Sequence, residues 1–258
     1  MEIMEKKNED DLKKRFCVRK WKDGSKFIGL LERNKVNGWS KLKNIVFEIR
    51  GEFSDDKLNG YGEVLNKVEN RIFKGFWING VLGGAGFEID SNYYYSGFFM
   101  NNQKYGYGIQ IWKDNSKYTG EWEKDEYNGF GIYDFPDGQK YQGQWKNNRK
   151  NGFGEFIWTN GKKYVGFYKD DKKDGFGFYY LKKGCYSINF WKNGKKHGLG
   201  RLINENDDRY VKFEENKIIY NFKNELEFID SCEKENLIYI DKLCWNVEKI
   251  RNFMNIKE

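Results

Sequence analysis

One histidine, one proline and four cysteines are all that 258 residues hold of these types. A Ser-His-Asp or Cys-His relay needs an imidazole. His197 stands in a repeat slot that Asn128, Asn151 and Asp174 fill elsewhere, so it reads as a turn residue. Cys17, Cys185, Cys232 and Cys244 form no Cys-x-x-Cys pair and no disulfide-framework spacing. They read as thiols of a reducing compartment and offer zinc no ligand set. The run GVLGGAG, Gly80 to Gly86, lacks the Gly-Lys-Ser/Thr ending of a phosphate loop. Acidic pairs such as Asp55-Asp56 and Asp170-Asp171 lack the spacing of a calcium loop. No stretch approaches the roughly 18 apolar residues of a membrane span, and the opening MEIMEKKNEDDLKKRF has no apolar signal-peptide core. A cytoplasmic protein without enzymatic activity, metal or other cofactor is expected.

What the chain has instead is rings and glycine. Aromatics make up 19% of it, there are 29 glycines, and the mean hydropathy is −0.92. So polar a chain would lean towards disorder if its apolar residues were scattered, but here they are periodic. YTGEWEKDEYNGFG from Tyr118, YQGQWKNNRKNGFG from Tyr141 and YVGFYKDDKKDGFG from Tyr164 recur at intervals of 23 residues. The glycine slot falls on Gly29, Gly51, Gly75, Gly97, Gly120, Gly143 and Gly166, and a second glycine follows each nine residues later, from Gly38 to Gly175. A degenerate eighth copy has Asn189 in the slot and keeps Trp191, Gly198 and Gly200; a half-repeat follows around Tyr210 and Lys212. Degenerate ends suit a repeat array.

Within a copy, residues two apart share one face of a strand. Tyr141, Gly143 and Trp145 form one such set, and Gly152, Gly154, Phe156 and Trp158 another. Between them KNNRK reads as a flexible polar hairpin loop, and Thr159 to Gly161 turns into the next copy. Gly138, Gly161 and Gly184 recur as turn glycines needing positive φ. A glycine retained inside a strand marks something packed closely on the backbone, and the Tyr and Trp rings are the expected occupants.

The pattern resembles the MORN (membrane occupation and recognition nexus) repeat, an aromatic-x-Gly-x-Trp hairpin with a downstream Gly-x-Gly. The likeness runs over residues 27–203 and is most regular from Tyr95 to Gly177. It implies an all-β repeat array: an elongated, twisted, single-layer antiparallel sheet of about eight 23-residue hairpins, with no activity of its own. The array is expected over 16–222, with clear copies in 73–181, weaker ones in 27–65 and 187–203, and a half-repeat in 210–222. Residues 1–15 read as a charged, frayed N-terminus and 223–258 as a C-terminal helical cap. There Leu237, Ile240, Leu243, Cys244, Val247 and Ile250 form an amphipathic stripe, after a shorter helical piece of Leu226, Phe228, Ile229 and Cys232. The helix caps an open sheet edge, covers a binding face as a removable lid, or dimerises.

The net charge of +7 is concentrated: residues 140–200 carry 14 basic and 4 acidic side chains. Lys146, Arg149, Lys150, Lys162, Lys163, Lys172, Lys173, Lys182, Lys183, Lys195 and Lys196 are expected in loops along the sheet's long edges. They would solubilise the sheet, steer an acidic partner or bind acidic phospholipids. Tyr118, Trp122, Tyr141, Trp145, Tyr164 and Tyr168 are the candidate partner-binding face for a helical or extended peptide. If those rings are buried, the opposite parity serves: Phe130, Ile132, Phe153, Ile157, Phe176 and Phe178. The expected function is a scaffold for a protein partner, which the resemblance ties to motor tails, cilium or cytoskeleton. A peripheral membrane organiser reading phosphoinositides is the second reading, and self-assembly, homodimers included, the third. Nucleic acid is not an expected partner, because the rings are committed to packing and no RNA-binding aromatic motif is present.

Overall fold

In the computed structural model, residues 14–234 are described. Twenty strands, from Arg15–Lys20 to Lys217–Asn221, belong to one open, twisted antiparallel sheet, and a helix, α1 (Glu225–Lys234), follows. The described residues fall into two compact units, one up to Glu126 and one from Tyr127, and the same hairpin builds both. The expected N-terminal fraying falls mostly, and the helical stripe from Leu237 to Ile250 wholly, outside the described residues.

The hairpin of Tyr141 shows how the sequence sets the geometry. Strand Lys140–Lys146 pairs with Arg149–Ile157, bringing Gly143 opposite Gly154. The turn is two residues, Asn147 and Asn148, at φ 49° and 63°. Such a turn matches the twist of the strands it joins, and asparagine tolerates its left-handed conformation better than most residues. KNNRK is therefore not a flexible loop: only its two asparagines turn, and Lys146, Arg149 and Lys150 lie in strands. Asp170-Asp171 turns the same way at 47° and 66°, as does Asn101-Asn102 in the first unit at 52° and 65°.

Each turn also clips onto the preceding repeat. Asn148 N–H donates to Tyr127 O (3.1 Å), and its Oδ1 accepts from Tyr127 N–H (2.8 Å). Asp171 grips Lys150 by the same two bonds, both 3.0 Å. In the first unit Asn102 grips Leu82 at 3.0 and 2.8 Å.

The two glycines of Gly-x-Gly do different jobs. Pairing jumps register between Gly143 and Trp145, and Gly152 absorbs the irregularity at φ 89°. Gly154 instead lies under a ring. A methyl added there would stand 2.7 Å from Cε2 and Cζ of Tyr141. The hydroxyl reaches over the glycine pair to donate to Gln144 O at 3.0 Å. Tyr95, Tyr118 and Tyr164 donate in the same way to Phe98 O, Glu121 O and Phe167 O, at 3.0, 2.8 and 3.2 Å. Trp145 stands edge-on to Tyr141 with centroids 5.0 Å apart, and its Nε1 donates to Gly131 O at 3.2 Å. The rings thus fill the trough that the glycines leave, and an aromatic core replaces the usual Leu and Val.

α1 begins with an asparagine cap, Asn224 Oδ1 accepting from Glu227 N–H at 2.9 Å, and carries Glu225 and Glu227 in its first turn. Its Phe228 lies 4.6 Å from the Tyr210 ring and 5.2 Å from Phe222. Phe228 and Cys232 join one buried cluster with Val165, Phe176, Phe178, Ile188 and Leu199.

Candidate functional site

The two faces of the sheet differ in kind. On the ring face, Tyr118, Trp122, Tyr141, Trp145, Tyr164 and Tyr168 are all buried. Tyr141 and Tyr164 lie over this chain's own glycines and the six rings stand edge-on against one another, which removes them as an open partner-binding surface. Burial holds the hydroxyls of Tyr118, Tyr141, Tyr164 and Tyr168 well above the ordinary tyrosine range.

The opposite face is divided. In the second unit Phe130 and Phe153 are exposed and Ile132 and Ile157 half-buried. Phe176 and Phe178, from the same set, are buried in the cluster that holds Phe228 and Cys232 of α1. In the first unit that face is open. Tyr61 pairs with Phe76 across neighbouring strands, and Phe98 with Tyr105. Phe76, Phe98 and Tyr107 are 55%, 54% and 57% exposed, and Phe87, Tyr94, Ile109 and Ile111 are exposed beside them. Monomeric proteins seldom leave so many adjoining rings in water without use for them. These residues precede the copies that begin at Tyr118, Tyr141 and Tyr164, where the periodicity is clearest.

The basic residues also divide. Lys146, Arg149, Lys172, Lys182, Lys183 and Lys195 are exposed, and Lys162 and Lys163 half-buried. Several meet acids: Arg149 lies 3.8 Å from Asp170, Lys163 3.7 Å from Glu155 and Lys195 3.1 Å from Glu215. Lys150, Lys173 and Lys196 depart from the expectation of edge loops. They lie in strands Arg149–Ile157, Lys172–Lys182 and Lys195–Asn204, half-buried among rings. Strand alternation is the reason: each stands seven residues after the slot position Gly143, Gly166 or Asn189, just past a two-residue turn.

Lys150 Nζ lies 5.3 Å from the centre of Phe156 and 5.7 Å from Tyr141. Lys173 Nζ lies 4.4 Å from Tyr179 and 4.5 Å from both Tyr164 and Trp191. Lys196 Nζ lies 5.0 Å from Phe213 and donates to Ser187 Oγ at 3.0 Å. Ring faces attract a cation, yet burial pushes all three ammoniums down. Lys173, further repelled by Lys196 and Lys150, falls to about 8. In the first unit the same slot holds Lys104, over Tyr93 at 4.2 Å, with Glu88 at 3.2 Å and Gln110 Oε1 at 2.7 Å. Glu88 also accepts from Tyr93 Oη (2.7 Å) and faces Arg71 at 3.5 Å.

His197 is exposed. Among the described residues no His/Cys/Asp/Glu group could hold a metal, and no helix is long and apolar enough to cross a membrane.

A family profile for the MORN repeat matches residues 50–64, 95–117, 118–140, 141–163, 164–186 and 190–209. No curated protein matches the sequence. Among solved structures, the SAS-4 (dCPAP) TCP domain of Drosophila melanogaster, in complex with a proline-rich motif of Ana2 (dSTIL), aligns over 69% of this chain and 90% of its own. The identity is 16% and the TM-score 0.35, too low for the likeness to carry weight. The register of the profile agrees with the hairpins themselves: three of its segments open on Tyr118, Tyr141 and Tyr164, and the last two of these rings cover paired glycines. The chain belongs to the MORN-repeat family, a family of non-catalytic repeat scaffolds.

Proposed function

We propose that the chain is a protein-binding scaffold whose docking surface is the open aromatic face of its first unit, and that the segment it takes is an amphipathic helix. The observation that carries this reading is the adjoining exposure of Phe76, Phe98 and Tyr107, flanked by Tyr61, Tyr94 and Tyr105. The chain itself suggests the occupant. On the corresponding face of the second unit, rings of the same parity share a buried cluster with Phe228 and Cys232, four residues apart on α1. A partner helix with large apolar residues at that spacing would bury the first unit's rings likewise, as helix-in-groove recognition does elsewhere. Tyrosine and phenylalanine lose little side-chain entropy on binding for the area they bury.

The test is selection of peptides from an unbiased library on the full chain, with counter-selection on Phe76→Ser/Phe98→Ser/Tyr107→Ser. The expected winners form amphipathic helices with anchors at i and i+3 or i+4 and lose at least tenfold in affinity on the triple variant. Winners without that spacing, or equal binding to both proteins, refute the reading. So does a homodimer that the triple variant abolishes, because the face then belongs to a second copy. The edge lysines Lys146, Lys162, Lys163, Lys172, Lys182 and Lys183 favour a second reading, contact with acidic phospholipids at roughly 1 kcal/mol per residue near the surface. Co-sedimentation with acidic vesicles that survives Lys→Glu replacement of those six excludes it. A cytoskeletal or ciliary setting rests on family resemblance alone.

A further inference from the structure

We infer that Lys150, Lys173 and Lys196 form a second binding site, a ladder of caged ammoniums that reads carboxylates on an acidic, extended protein segment crossing the strands on the ring face of the second unit. This site differs from the proposed docking surface in unit, in face and in ligand chemistry.

Lys104 shows what satisfies such a cage. It occupies the same slot, lies over the same kind of rings, and is completed by a carboxylate and an amide, Glu88 and Gln110. Those two stand thirteen residues after the slot glycines Gly75 and Gly97. The same offset in the following copies gives Tyr133, Phe156 and Tyr179. In the second unit a ring has replaced the acid, and the ammonium has kept its place. None of the three lysines makes an ion pair among the described residues. The carboxylate that acts on the Lys150 ammonium is that of Asp171, whose Oδ1 is already taken by the Lys150 backbone N–H at 3.0 Å. Three ammoniums sit partly out of water without a paired carboxylate, the middle one repelled by the other two, and the chain's own example of a counter-ion is a carboxylate.

The spacing argues for an extended peptide. Successive ladder lysines are one hairpin apart, and two strand spacings make about 9.6 Å. A segment in the extended polyproline II conformation advances about 3.1 Å per residue with three residues per turn, so carboxylates at every third position share one face and would meet each rung. The rings around each Nζ would flank the intervening residues. A lipid surface would engage the protruding Lys146, Lys172 and Lys195 before these recessed groups, which makes vesicle binding the competing outcome.

The test uses the full chain and a fluorescent peptide with three glutamates at every third position among Gly and Ser, beside an isomer with the glutamates adjacent. Three proteins are compared: wild type, Lys150→Met/Lys173→Met/Lys196→Met, and Lys146→Gln/Lys172→Gln/Lys195→Gln, which loses the same charge from exposed positions. Methionine keeps the unbranched stem among the rings. The expected result is at least tenfold tighter binding of the spaced peptide, at least thirtyfold loss in the methionine variant, and less than threefold in the glutamine variant. Equal loss in both variants overturns the ladder, as does indifference to glutamate spacing. Binding of phosphatidylserine vesicles with none to the peptide overturns it as well. Should the methionine variant fail to fold, the Lys173 ammonium is titrated by NMR in the wild type with and without spaced peptide. A rise of a unit or more is expected, and an unmoved titration overturns the proposal.

Discussion

The ring-over-glycine contact can be tested at one methyl group. Gly154 has no positive φ, so alanine there meets no backbone penalty. Its only cost is that the new carbon would stand 2.7 Å from two ring carbons of Tyr141 and closer still to the hydroxyl. The ring cannot yield easily, since its hydroxyl is bonded to Gln144 O and Trp145 stands edge-on against it. Overpacking of this kind costs about 1–3 kcal/mol, and the pinned ring puts Gly154→Ala at the upper end. Tyr141→Leu removes the ring atoms the methyl would strike. In that background Gly154→Ala should be neutral, or stabilising by up to about 1 kcal/mol through the unfolded chain. The coupling in the double-mutant cycle is therefore about 2–3 kcal/mol. Urea unfolding followed by tryptophan fluorescence, with unchanged m-values as the check on cooperativity, measures all four proteins. A neutral Gly154→Ala in the wild type refutes the reasoning, and so does the same cost with and without the ring.

The turn clip makes a graded prediction. Asn148→Gly keeps the left-handed turn but loses the acceptor for Tyr127 N–H, about 1 kcal/mol. Asn148→Ala also strains the φ of 63° and should cost about 2 kcal/mol or more in the same urea assay; equal costs would mean the turn carries no strain. Lys173 predicts a pH dependence. Its folded pKa of about 8 lies below the unfolded lysine value near 10.4. Between the two the unfolded chain keeps a proton the folded one has lost, so stability rises with pH. The part of the rise that Lys173 contributes from pH 8 to 9, where few unfolded tyrosines ionise, should be about 1 kcal/mol and is lost in Lys173→Met. A flat wild-type profile, or the same rise in the variant, contradicts the cage.

Much of the hairpin was legible because its physics is local. Glycine in a strand, a tyrosine two positions before it and a tryptophan two after are a local instruction to lay rings on bare backbone, and Tyr141, Gly143 and Trp145 follow it. The turn glycines Gly138, Gly161 and Gly184 have positive φ as their spacing implied. The open side of the sheet was not legible, because both faces carry rings at a period of two. Glycine decides it: Tyr141 and Tyr164 have glycine pairs beneath them and sink. Phe98 and Tyr107 stand on the other face, where no glycine trough receives them, and stay in water. The lysine cages were missed for a related reason. In the sequence Lys150, Lys173 and Lys196 read as loop charge, although their offset from the glycine slot puts them on the ring face. The neutral counterparts at that offset, Val36, Leu58 and Leu82, were the available signal. Phe176 and Phe178 are buried together with Phe228 and Cys232 of α1, a contact no hairpin periodicity encodes.

Hydroxyl-radical footprinting of the full chain, free and with a library-selected helical peptide, tests the division of the two faces most directly. Phe76, Phe98, Tyr105 and Tyr107 should react strongly in the free protein and become protected, while Tyr118, Tyr141 and Tyr164 stay unreactive in both states. Strong reaction at those three tyrosines in the free chain, or protection that falls on them instead of on the first unit's open face, would contradict the account.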